Sequence, residues 1–180
     1  YTVRGPQDCF TECLDANLSL IRYRMNSEDL KIKNYDIGNK TKTCVAMIYL
    51  NEAANDLVVK ELDKRIENID IDGICESGEL QNLLSDNKLQ LFPEMGLVER
   101  SDMAFHALLK GKVLVLVDGS GIALIAPKTF SEFFYSGDDR YDNKFFGLFT
   151  RILRYLSIII AIAASSLYVA LVSFHTDALS

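Results

Sequence analysis

Few residues in this chain have the types and spacing for chemistry. The sharpest pattern is Asn68-Ile69-Asp70-Ile71-Asp72-Gly73 with Glu79 further on. Oxygen-bearing side chains at positions 1, 3 and 5, glycine at 6 and glutamate at 12 match the spacing of a calcium-binding EF-hand loop. Against that reading, position 1 is Asn68, position 8 is Cys75, and no second copy follows. Ile69 and Ile71 also alternate with Asp70 and Asp72 as on a strand edge, so the expectation is a structural turn. The alternative is a ligand- or calcium-binding sensor using Asp70, Asp72 and Glu79. Asp118-Gly119-Ser120-Gly121 could cradle a phosphate, but a hairpin between two apolar strands accounts for both glycines. His106 lies among apolar residues and reads as a packing residue. Cys9, Cys13, Cys44 and Cys75 form no zinc pattern with His106 and His175. They are expected as free, buried thiols, with Cys9 and Cys13 on one helix face. No nucleophile, base and orienting acid assemble, so no catalytic residue, cofactor or metal is expected.

The elements around these residues alternate between the two regular periods. Residues 8–25 predict a helix, with Phe10, Leu14, Leu18 and Ile21 on one stripe and Asp8 as its cap. Leu30, Ile32 and Ile37 predict a half-buried strand, and Thr43 to Leu50 a more buried one. Residues 55–68 predict a second helix, capped by Asn55, with Leu57, Val58, Leu62 and Ile66 inward. A short helix at 77–86, an extended stretch at 95–99 and a helix from Ser101 or Asp102 to Leu109 follow. Two apolar strands, Lys112 to Val117 and Ile122 to Ala126, close the series. The fold class is therefore α/β: a mixed sheet with packed helices, followed by a single transmembrane helix. Ser136-Gly137-Asp138-Asp139 reads as a solvated loop between the sheet and the membrane-proximal segment.

From Tyr155 to Phe174 the chain carries no formal charge. A helix of that length spans roughly 30 Å, the hydrocarbon thickness of a bilayer. Arg140, Lys144, Arg151 and Arg154 precede it, whereas only His175 and Asp177 follow. The positive-inside rule then places the N-terminal side in the cytoplasm. Phe145, Phe146, Phe149 and Ile152 interleave with Lys144, Arg151 and Arg154, as on a helix lying at the interface. Arg151, Arg154 and Tyr155 are the candidate membrane-interface residues, the arginines reaching lipid phosphates. Ser157, Ala161, Ser165 and Ser173 recur at i,i+4, a small-residue stripe suited to close helix packing. The expected organisation is a cytosolic α/β domain at 1–139, an amphipathic helix at 140–154, the span at 155–174 and the start of an external loop at 175–180. A start at Tyr1 without Met and a stop just past the apolar run suggest a piece of a longer polypeptide.

A net charge of -6 and a pI near 4.9, without a basic stripe in the first 139 residues, exclude a nucleic-acid binder. With 49% hydrophobic and 24% charged residues, the chain is neither a disordered tail nor a polytopic membrane protein.

Several blocks carry a resemblance. Val3-Arg4-Gly5-Pro6, Phe10-Thr11-Glu12, Leu20-Ile21-Arg22, Lys40-Thr41-Lys42-Thr43 and Ile69-Asp70-Ile71-Asp72-Gly73-Ile74 come first. Val117-Asp118-Gly119, Ala123-Leu124-Ile125-Ala126-Pro127, Arg151 to Tyr155, Leu167-Tyr168-Val169-Ala170-Leu171 and Phe174-His175 follow in order. Together they resemble the GerA family of spore germination proteins. The resemblance implies the A subunit of a nutrient germinant receptor in the inner membrane of a spore. There the chain would be the second half of a cytosolic N-terminal domain plus the first membrane helix. It also implies a homo-oligomer with other A subunits, with B and C subunits and membrane lipid as partners, forming a nutrient-gated ion channel. A sibling sporulation membrane protein of the same family is an alternative, and no catalytic residue carries over.

Overall fold

The computed structural model describes residues 8–85, 94–129, 132 and 144–174. Two compact units form, one from Pro6 to Thr129 and the other from Phe130 to Ser180. In the first unit the element order is α1 (Leu14–Arg24), β1 (Leu30–Ile37), β2 (Thr43–Leu50), α2 (Asp56–Glu67), α3 (Ser77–Leu84), β3 (Gly96–Val98), α4 (Ser101–Leu109), β4 (Val113–Val117) and β5 (Ala123–Ala126). The strands make one five-stranded sheet in the order β1-β2-β4-β5-β3. Every pairing in it is antiparallel, so the α/β class is realised with an antiparallel sheet.

Strict alternation along the central strands feeds two cores. Ala46, Ile48, Leu114, Leu116, Ala123 and Ile125 point to one face, where Leu14, Leu18, Ile21, Ala104 and Leu108 cover them. Val45, Met47, Val113, Val115, Leu124 and Ala126 point to the other, under Leu62, Ile66, Leu80 and Leu84. Helices α1 and α4 thus roof one face, and α2 and α3 the other. Because both faces are covered, these strands are apolar at every position, and Val113–Val117 is buried throughout.

Three details differ from the sequence reading. Helix α1 begins at Leu14 rather than residue 8. The Asn17 side chain hooks the preceding segment, accepting from Thr11 N–H at 2.8 Å and donating to its carbonyl at 2.6 Å. Phe10 N–H donates to the Glu99 carbonyl at 2.8 Å and Cys9 bridges Arg100, so residues 8–10 run extended beside the β3–α4 junction. Asp8 instead pairs with Arg24 at 2.7 Å. Next, Cys9, Cys13 and Cys75 are exposed and Cys44 is half-buried, so the thiols are not core residues. Burial raises the Cys44 thiol above its ordinary value, with smaller contributions from Asp36, Asp118 and Asp15. Finally, Leu57 is 76% exposed and lines an open groove with Met95, Ala126 and Pro127 instead of packing inward. The Asn55 cap is as expected, its side chain accepting from Leu57 N–H at 2.9 Å.

In the second unit one helix, α5 (Lys144–Phe174), runs unbroken through residues 144–154 of the expected amphipathic stretch and through residues 155–174. Its Gly147–Ala170 section is long and apolar enough to cross a membrane. The expected loop at 136–139, the chain before Lys144 and residues 175–180 lie outside the described residues.

Candidate functional site

The calcium-like pattern is a joint between two turns. Its backbone carbonyls face the β1–β2 turn: Asn39 N–H donates to the Ile71 carbonyl at 2.9 Å, and Lys40 N–H to the Asp72 carbonyl at 2.8 Å. The carboxylates diverge, Asp70 accepting from the Asn39 amide at 3.0 Å and Asp72 from Lys40 Nζ at 2.7 Å. Asn68 donates to the Lys64 carbonyl at 2.7 Å, and Glu79 accepts from Cys75 N–H at 2.9 Å. Each proposed oxygen ligand therefore has a different partner. Among the described residues no cluster of His, Cys, Asp and Glu is placed to hold a metal ion. Gly73 is needed because a Cβ there would lie 2.4 Å from Thr41 Cγ2. Gly38, at φ +98°, lets the facing turn close on it.

The Asp118–Gly121 hairpin ties both helical layers to the sheet. Asp118 Oδ1 accepts from Leu14 N–H at 3.1 Å, which caps the first turn of α1. Gly119 N–H donates to the Glu12 carbonyl at 2.8 Å. On the other face, the hydroxyl of buried Ser77 at the start of α3 donates to the Ile122 carbonyl and lies 3.1 Å from the hydroxyl of buried Ser120, with which it shares a hydrogen bond. The glycine-rich turn thus spends its polar groups on helix starts. His106 is half-buried and meets the Phe105 ring edge-on at 5.6 Å.

A charged cluster links β1 to α2. Lys33 Nζ donates to Asp63 and, at 3.1 Å, to Glu67, while Tyr35 Oη also donates to Asp63. The bonds from Lys33 and then Tyr35 hold the Asp63 carboxyl below its usual value. Those same carboxylates raise Lys33, and burial followed by Asp63 raises Tyr35.

In α5 the small-residue stripe forms a surface groove. Ala161, Ile162, Ser165, Ser166 and Val169 line a shallow depression, with Ser157 one turn earlier outside its lining. Each serine hydroxyl donates within the helix: Ser157 to the Arg154 carbonyl at 2.8 Å, Ser165 to Ala161 at 2.8 Å and Ser166 to Ala163 at 2.9 Å. Such self-satisfied hydroxyls can enter hydrocarbon, where an unpaired one is costly. Ile162 and Ser166, also four apart, form the adjacent row that the single Ser157–Ala161–Ser165 stripe leaves out. Arg151 and Arg154 are half-buried one turn apart, and Tyr155 beside them is 42% exposed.

A family model described as Bacillus/Clostridium GerA spore germination protein matches residues 1–180. Spore germination protein B1 of Bacillus subtilis (strain 168) is 42% identical over 98% of this chain and 36% of its own length. GerLA of Bacillus cereus is 39% identical over 96% of this chain and 35% of its length. The chain thus spans about a third of the length of these curated relatives. Among solved structures, the N-terminal domain of the A subunit of the Bacillus megaterium spore germinant receptor GerK3 is 41% identical. It superposes with a TM-score of 0.55 over 68% of this chain and 98% of its own.

Proposed function

The chain belongs to the GerA family of spore germination proteins, and from that premise we propose that it is part of the A subunit of a nutrient germinant receptor. Its role is non-enzymatic. The α/β unit is a cytosolic module and α5 the first membrane helix, set in the inner membrane of the spore. Arg151 and Arg154 meet lipid phosphates, with Tyr155 at the interface. Other A subunits, and the B and C subunits, pack against the Ser157, Ala161 and Ser165 side of α5. The assembly passes ions when nutrient is sensed. The observation that carries this reading is a family match running the whole chain, through the α/β unit and the apolar helix alike.

The test is to purify the intact polypeptide that carries this chain in detergent, together with a B-type subunit, and measure size and ion flux in liposomes. A defined oligomer that conducts on adding nutrient is expected, and Ala161→Phe should reduce its size. A monomer without conductance would overturn the proposal.

A further inference from the structure

The two edges of the sheet differ. β3, at one edge, is three residues long, and residues 8–10 continue it at the Glu99–Arg100 end. β1, at the other, runs eight residues and pairs with β2 through eight consecutive positions without a bulge.

The direction of its backbone groups follows from two bonds outside the ladder. Asp118 N–H donates to the Cys44 carbonyl at 2.9 Å, so the even-numbered residues of β2 turn towards β4. Asn51 N–H donates to the Asp29 carbonyl at 3.0 Å, so the odd-numbered residues of β1 and β2 face each other. Leu30, Ile32, Asn34 and Asp36 therefore turn their N–H and C=O groups away from the sheet. Leu30 N–H is taken by the Ser27 carbonyl at 3.3 Å. Among the described residues no backbone bond engages the outward groups of Ile32, Asn34 and Asp36.

We propose that this edge is an interface with a second copy of the chain, β1 pairing antiparallel with β1 of its partner about a two-fold axis at Asn34. The inference deepens the self-association in the receptor reading, but it places a contact on the sheet rather than on α5. The occupant follows from self-complementarity. A two-fold axis perpendicular to the sheet sets residues of equal parity opposite each other. The register centred on Asn34 engages both the N–H and the C=O of all three outward residues on both strands, whereas one centred on Lys33 sets Asp36 opposite Leu30, whose N–H is already taken. It sets Ile32 opposite the partner's Asp36 and Lys33 opposite the partner's Tyr35. The latter repeats, across the axis, the contact in which Lys33 Nζ lies 5.0 Å from the Tyr35 ring centre. No like charges face each other there. A shift of the axis to Lys33 would set two ammonium groups opposite.

The experiment is sedimentation of the intact polypeptide that carries this chain, in detergent, alone and with a B-type subunit, across a concentration series, with three substitutions at one position. Asn34→Pro removes an outward N–H and leaves the β1–β2 ladder its bonds. It should weaken the dimer by about tenfold or more, since two hydrogen bonds disappear by symmetry, with the melting temperature nearly unchanged. Asn34→Asp and Asn34→Lys should each weaken the dimer at low salt, and mixing the two should restore it. A chain that stays monomeric, a dimer indifferent to Asn34→Pro, or a mixture that fails to re-form would overturn the proposal. Self-association lost only on Ala161→Phe would leave the receptor reading intact and remove this one. Asn34→Pro that spares the dimer but releases a B-type subunit would assign the edge to another polypeptide.

Discussion

The α/β unit and helix α5 use the same residue types under opposite rules. In the first, Ile48, Leu114 and Leu116 are fully buried and polar groups such as Ser77 and Ser120 reach across the fold for partners. In the second, Ile159, Ile160 and Ile162 are each more than half exposed, and the serines bond only to their own helix. On the receptor reading proposed above, the contrast is one of solvent. A segment surrounded by water hides its apolar surface behind other elements. A segment surrounded by lipid needs only to satisfy its polar groups locally.

The largest effect should come from deleting the same kind of side chain in each region. Leu114→Ala should cost the α/β unit about 2–5 kcal/mol, read by denaturant unfolding in detergent micelles. Ile159→Ala should leave that unfolding curve unchanged. Equal losses would mean that α5 is a core helix after all.

A smaller change tests whether the Asp70–Gly73 segment is a joint rather than a ligand loop. Gly73→Ala should destabilise the unit by about 1–3 kcal/mol, because its Cβ meets the Thr41 side chain. Thr41→Ala in the same chain should recover part of that loss. Additive losses would show that the two turns do not press on each other, and a calcium-dependent rise in stability would revive the sensor reading.

The smallest effect concerns charge. Asp63 is held below its unfolded value, so its contribution is present above about pH 4 and fades as the pH falls through its lower folded value. Lys33 is raised, so its contribution is complete below its ordinary value of 10.5 and fades only above it. Stability of the α/β unit should be nearly flat between those limits as far as this cluster is concerned. Asp63→Asn should lessen the loss on the acid side, seen in melting temperature against pH. An unchanged acid limb would remove the cluster from the account.

Much of the fold was legible because its signals are local. The apolar runs Cys44–Leu50 and Val113–Val117 marked central strands, and Asn55 marked a helix start through a bond two residues away. What the sequence hid is held by distant partners. Asp118 caps a helix 104 residues before it, so the start of α1 at Leu14 has no nearby mark. Asp70 and Asp72 read as possible ligands until the turn that contains Asn39 and Lys40 is laid beside them. The groove that Leu57 shares with Met95, Ala126 and Pro127 is likewise built from distant residues, which no periodicity in α2 records. In α5, by contrast, the spacing of Ala161 and Ser165 already sets them one above the other, because a helix surface is fixed by its own geometry.

The hairpin at Asp118–Gly121 bears on how this protein can be labelled. A short turn at the end of a sheet ordinarily accepts an inserted epitope or fluorophore with little harm. Here an insertion would part Asp118 from Leu14 and Ser120 from Ser77 at once, loosening a helix on each side of the sheet. The segment between β2 and α2 is no better a place, since Asn51 N–H donates to the Asp29 carbonyl at 3.0 Å and a Cβ on Gly111 would lie 2.1 Å from the Ala53 carbonyl oxygen.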